Sequence, residues 1–107
     1  MVSDKPSKLM RKTCENLGEL YTIQTMDKTP AIYRYFDNGI EFEVLSIETG
    51  VTKCSLYVWY KPQRELVGVY KNIPIAQLRD VLGHFAYIYQ GLDKIVEIQR
   101  QDWKGLE

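Results

Sequence analysis

The stretch from Ile32 to Ile47 constrains this chain more than any other. Two runs that alternate apolar and polar residues, Ile32 to Phe36 and Ile40 to Ile47, flank Asp37-Asn38-Gly39. Asn-Gly is the preferred pair for a two-residue type I′ hairpin, because both positions must adopt positive φ. With Asn38-Gly39 as the loop, Asp37 faces Ile40, Tyr35 faces Phe42, Arg34 faces Glu43 and Tyr33 faces Val44. One face of the hairpin then holds Tyr33, Tyr35, Ile40, Phe42 and Val44. The other holds an Arg34–Glu43 pair with Glu41 beside it, plus Ile32, Phe36 and Leu45. A cross-strand ion pair of that kind contributes about 0.2–1 kcal/mol.

The remaining elements follow from periodicity and punctuation. Pro6 to Leu17 predicts a helix, capped by Ser3 or Asp4, with Met10, Cys14 and Leu17 at helical spacing and Gly18 as its stop. Leu20 to Met26 predicts a strand ended by Asp27-Lys28 and Thr29-Pro30, and Glu48-Thr49-Gly50 predicts a turn. Thr52 to Tyr60 and Glu65 to Lys71 form a second hairpin around Lys61-Pro62-Gln63-Arg64. Placing Tyr60 opposite Glu65 puts Cys54, Leu56, Val58, Val67 and Val69 on one face. Ser55, Tyr57, Trp59, Leu66, Gly68 and Tyr70 take the other, with Gly68 opposite Tyr57. An odd-length loop would change this pairing. Pro74 opens a helix to about Gln90, with Gly91 as its stop. Its stripe of Ile75, Leu78, Leu82, Phe85, Tyr89 and Leu92 is widened by Val81 and Ile88. Residues 93–105 fit a strand through Val96 and Ile98 or a helix through Leu92, Ile95 and Trp103, and we favour an extended segment.

A single α+β domain over residues 1–107 follows: an antiparallel meander of four to five strands, flanked by an N-terminal and a C-terminal α-helix. The length suits one core without metal or disulfide staples. No apolar run reaches the roughly 18 residues of a membrane span, and no signal-peptide core follows Met1, so a cytoplasmic protein with no membrane partner is expected. Cys14 and Cys54 both fall on apolar faces and are expected to pack as reduced thiols.

Net charge is zero, with 14 basic and 14 acidic residues, so no global field draws the chain to a polyanion. The charges are nevertheless segregated. Lys5, Lys8, Arg11 and Lys12 against Asp4 make residues 1–13 basic. Asp37, Glu41, Glu43 and Glu48 make residues 37–50 acidic. Lys53, Lys61, Arg64 and Lys71 against Glu65 make residues 51–71 basic again. Such segregation fits ordinary surface patterning, or opposed patches that pair with a partner or with a second copy.

Chemistry-bearing constellations are sparse. His84 is the only histidine, so a two-histidine metal site and most familiar catalytic arrangements are unavailable, and a Cys–His pair could involve only Cys14 or Cys54; its helix position, away from the apolar stripe, suits a solvated side chain. Glu41 and Glu43 project from one strand face about 7 Å apart, a spacing compatible with acid–base work, but a solvated sheet face explains them too. The glycines are isolated, which excludes a phosphate-binding loop. Gly83, inside the last helix, either serves a close packing partner or is merely tolerated. No catalytic residue, metal ligand or cofactor is assigned.

What remains is an aromatic face: Tyr57, Trp59 and Tyr70, rimmed by Lys61 and Arg64. Eight tyrosines against three phenylalanines favour surfaces where a ring packs while its hydroxyl stays wet. From Thr52 to Leu92, hairpins followed by an amphipathic helix resemble the single-strand-binding transcriptional coactivator domains, which dimerise through that helix. The resemblance implies stacking of single-stranded nucleic acid on the aromatic face. The leading expectation is instead a small non-enzymatic interaction module, homodimeric, that binds a protein partner through this face. Nucleic-acid binding on the same face comes second, and an enzyme using the acidic hairpin third. The outcome depends on whether the N-terminal helix covers the aromatic face.

Overall fold

The computed structural model describes residues 5–48 and 50–90. Helix α1 (Lys8–Leu17) leads into strands β1 (Thr22–Met26), β2 (Thr29–Tyr35), β3 (Ile40–Leu45), β4 (Lys53–Tyr60) and β5 (Glu65–Pro74), and helix α2 (Leu78–Gln90) follows. The strands form one antiparallel sheet in chain order, β1-β2-β3-β4-β5. The expected meander with a helix before and after is present, with all five strands. The expected stop at Gly91 and the segment 93–105 lie outside the described residues.

Helix α1 begins one turn later than its Ser3 or Asp4 caps would place it. Ser7 is the cap: its Oγ accepts the Met10 N–H at 3.0 Å and donates to the Ile47 carbonyl at 2.8 Å, which ties the helix start to the end of β3. Pro6 therefore precedes the cap. Gly18 ends the helix at φ 101°, in the left-handed region that favours glycine. Helix α2 is preceded by a 3-10 turn at Ile75–Gln77 and buries Leu78, Val81, Leu82, Phe85, Ala86 and Tyr89. This stripe packs on its own sheet, so α2 does not offer the free dimerising surface that the coactivator resemblance implies.

The β2–β3 register differs from the expected one throughout, and the β4–β5 register beyond its first two pairs. In β2–β3 the loop has three residues, with Phe36 opposite Ile40: the Phe36 N–H donates to the Ile40 carbonyl at 2.9 Å and the Gly39 N–H to the Phe36 carbonyl at 3.2 Å. Gly39 sits at φ 91° while Asn38 keeps a negative φ, so a type I′ turn does not form. Tertiary bonds explain the choice. The Asn38 side chain donates to the Tyr89 carbonyl at 2.7 Å and accepts the Ile40 N–H at 3.2 Å, clamping the turn onto the end of α2. The one-residue slip exchanges the faces of β2 relative to β3. Tyr33 now lies opposite Glu43, Tyr35 opposite Glu41 and Arg34 opposite Phe42. The Arg34–Glu43 pair does not exist. Arg34 instead lies 4.4 Å from the Phe36 ring centroid and 5.4 Å from that of Tyr21, on the helix side.

In β4–β5 the expected pairs Tyr60–Glu65 and Trp59–Leu66 form, but a bulge then shifts the ladder. Val58 faces Gly68, Tyr57 faces Val69 and Leu56 faces Tyr70. Gly68 and Tyr70 consequently turn to the helix side. A Cβ on Gly68 would sit 2.8 Å from the Tyr89 hydroxyl oxygen and 2.9 Å from Tyr70 Cε2, so glycine makes room for a Tyr70–Tyr89 hydroxyl pair rather than for Tyr57. The Tyr70 ring also packs 4.3 Å from Phe85.

Helix α1 does not cover the second sheet face. Met10 joins the same buried cluster as Ile32, Phe42, Val44, Leu56 and the α2 stripe, with Leu9, Cys14 and Leu17 packed against it. Residues of α1 and of the start of α2 line a common surface depression. The two helices therefore share one face of the sheet, and among the described residues no helix lies on the other.

Candidate interaction face

The second face is built by strand alternation. From β2 it takes Tyr33 and Tyr35, from β3 Glu41, Glu43 and Leu45, and from β4 Ser55, Tyr57 and Trp59. Strand β5 adds Leu66 and Val69, and β1 adds Met26. Tyr35 (44% exposed), Leu66 (40%), Val69 (41%) and Met26 (47%) are open to solvent, while Tyr57 and Trp59 are half-buried. Large apolar groups grouped on one uncovered face are a feature of binding surfaces more than of solvated ones.

A cleft of about 790 Å³ runs across this face. Tyr33, Glu41, Glu43 and Trp59 line it from the central strands, Met26, Asp27, Thr29 and Leu45 from one end, and Lys61, Pro62 and Arg64 from the other. The basic end is positioned by turn-on-turn packing. The Lys61 N–H donates to the Gly39 carbonyl at 2.9 Å, and a Cβ on Gly39 would lie 2.9 Å from Pro62. The β4–β5 turn thus rests on the β2–β3 turn, and Lys61 Nζ lies 4.7 Å from the Tyr35 ring centroid. Such a cation–π contact at an exposed site contributes about 0.5–1 kcal/mol.

Glu43 is the fixed point of the cleft. Its Oε2 accepts the Tyr33 hydroxyl at 2.6 Å and its Oε1 accepts Trp59 Nε1–H at 3.1 Å. Three adjacent strands therefore lock one carboxylate and orient the indole beside it. Burial first, and then the bond to and charge of Glu43, push the Tyr33 hydroxyl well above the ordinary tyrosine range. The Tyr35 hydroxyl, which donates to Gln24 Oε1 at 3.2 Å, is also raised, chiefly by burial. Both phenols stay protonated as donors.

Of the five residues expected to form a binding face, four come together: Tyr57 and Trp59 on the sheet, with Lys61 and Arg64 at the rim. Tyr70 does not join them, because the β5 bulge turns it into the core, where it is 8% exposed. Tyr33, Tyr35, Glu41 and Glu43 belong to the face and were placed otherwise, or apart from it, by the two-residue turn. A signal for the true register was present. Pairing Ile32 and Phe36, rather than Tyr33 and Tyr35, with Ile40, Phe42 and Val44 gathers the more apolar side chains on one side.

The acidic segment is dispersed: only Glu41 and Glu43 line the cleft, while Asp37 sits in the β2–β3 turn and Glu48 beyond β3. Among the described residues no group of three or more His, Cys, Asp or Glu side chains could hold a metal ion. His84 is solvent-exposed, as its helix position predicts. Cys14 and Cys54 are free thiols, Cys54 fully packed away. Among the described residues no helix is long and apolar enough to cross a membrane. Compared with protein-family models, curated proteins and solved structures, the chain matches none of them.

Proposed function

We propose that this protein is a small non-enzymatic interaction module that binds a protein partner through the sheet face opposite helices α1 and α2. The observation that carries this reading is the one-sided fold. Both helices pack on one side of the sheet, while Tyr35, Tyr57, Trp59, Leu66 and Val69 stand together on the other. Aromatic rings held by strands suit protein recognition, because they bring large contact area with little side-chain entropy to lose. Glu43 adds preorganisation by holding Trp59 through its indole N–H.

A photo-cross-linking amino acid at Leu66 tests the proposal against one at Tyr87, which is 78% exposed on α2. Discrete cross-links to a protein partner are expected from position 66 and not from 87, and they should vanish in the Tyr57→Ala/Trp59→Ala variant while its circular dichroism spectrum is kept. Equal labelling from both positions would sink the proposal.

Single-stranded nucleic acid on the same face is the second reading. It draws on Lys61 over Tyr35 and on Arg64 at the same cleft. It ranks below protein binding because Glu41 and Glu43 in the cleft repel phosphate. Absence of binding to mixed oligonucleotides at low salt is the expected result, and salt-sensitive binding lost in Lys61→Glu would reverse the order.

A further inference from the structure

Resting on the reading of the sheet face opposite α1 and α2 as a docking face, we infer that its occupant is the same face of a second copy of this chain, with Lys61 and Arg64 of each copy set against Glu41 and Glu43 of the other. The face carries both halves of its own complement. Glu41 and Glu43 are half-buried in the cleft, and their hydrogen-bond donors are neutral phenol and indole groups. Lys61 and Arg64 are exposed at the rim of the same cleft, and the Lys61 ammonium is spent on a ring rather than on a carboxylate. Among the described residues the two signs lie side by side without an ion pair between them.

Different occupants would satisfy this surface unequally. A basic segment would neutralise the carboxylates but bury Lys61 and Arg64 against like charge. A polyanion would do the reverse. A two-fold pairing of the face with itself serves both, since the same patch then appears on each side of the interface and every acid–base contact occurs twice. The zero net charge of the chain removes the overall repulsion that opposes self-association. Size is adequate as well. Five strands about 4.8 Å apart and some seven residues long span roughly 550 Å² in projection. Side-chain relief raises the accessible area toward the roughly 800 Å² per partner of a standard interface.

Light scattering on the full chain from micromolar to sub-millimolar concentration tests the inference. The wild type is expected to dimerise at low salt and to dissociate as salt rises. The Lys61→Glu/Arg64→Glu variant changes only exposed side chains, and its dimer should weaken by at least about tenfold. Glu41→Lys should behave likewise, and mixing the two variants should restore a mixed dimer. If Glu41→Lys fails to fold, Glu41→Gln with the rim variant keeps the test intact, since both must weaken the dimer. A strictly monomeric wild type, or a dimer indifferent to these changes, overturns self-docking. The cross-linking comparison of positions 66 and 87 would still decide whether the face docks a different protein.

Discussion

Gly68→Ala is the sharpest perturbation of this architecture, because its sign depends on the β5 bulge. In the continuous register expected from the turn alone, Gly68 faces outward beside Tyr57. An alanine there would stabilise by about 0.4–1 kcal/mol, since glycine loses more chain entropy on folding. In the observed register the added methyl meets the Tyr89 hydroxyl oxygen at 2.8 Å and Tyr70 at 2.9–3.0 Å. Neither ring can withdraw easily. Tyr70 is packed 4.3 Å from Phe85, and Tyr89 is fully buried beside Phe42 and Phe85. Overpacking of this kind costs about 1–3 kcal/mol. Forcing the two hydroxyls apart inside the core costs about 1 kcal/mol more. Offset by the entropy gain, the expected loss is roughly 1–3.5 kcal/mol. For a chain of this size that lowers the Tm by about 5–20 °C. Urea and thermal unfolding followed by far-ultraviolet circular dichroism would measure it. A variant as stable as the wild type, or more stable, would refute the bulged register and return Tyr70 to the outer face.

Three further outcomes follow from the same geometry. Gly83→Ala should stabilise by about 0.5–1 kcal/mol, because the position is helical and exposed and, among the described residues, nothing outside its own helix backbone lies within 4 Å of an added Cβ; destabilisation in urea would reveal a packing partner for that surface. Tyr33→Phe removes the 2.6 Å donor to Glu43, and the expected loss is about 1–2 kcal/mol, with Trp59 less ordered in fluorescence anisotropy. An unchanged midpoint in denaturant would show that Glu43 recruits water instead. Burial pushes the Cys54 thiol up from about 9 to about 11. The unfolded chain therefore releases its proton first, and stability is full below pH 9 and falls, by about 2 kcal/mol, as pH rises from 9 to 11. The Cys54→Ala variant should show a shallower decline over that window, and an identical decline would place its origin elsewhere.

Much of this protein was legible in the sequence. The alternation on either side of Asp37-Asn38-Gly39, the Lys61–Arg64 turn, Gly18 as a helix stop and the stripe through Leu78, Leu82, Phe85 and Tyr89 determine the order and type of both α-helices and of strands β2 to β5. These signals are local, and each depends only on the backbone preferences of a few neighbouring residues. Tertiary structure decided how the elements meet. Asn38 bonds to the end of α2, which favours a three-residue turn over the two-residue turn its own sequence prefers, and that slip carries Tyr33 and Tyr35 to the outer face. The bulge beyond Leu66 aligns Gly68 with Tyr89 and draws Tyr70 inward. Helix α1 shares a side with α2 because Ser7 binds Ile47 and Met10 completes the common core. A strand presents opposite faces at alternate residues, so a shift of one residue changes every neighbour while leaving the local pattern untouched. The composition of the candidate face was therefore settled by contacts far apart in the chain.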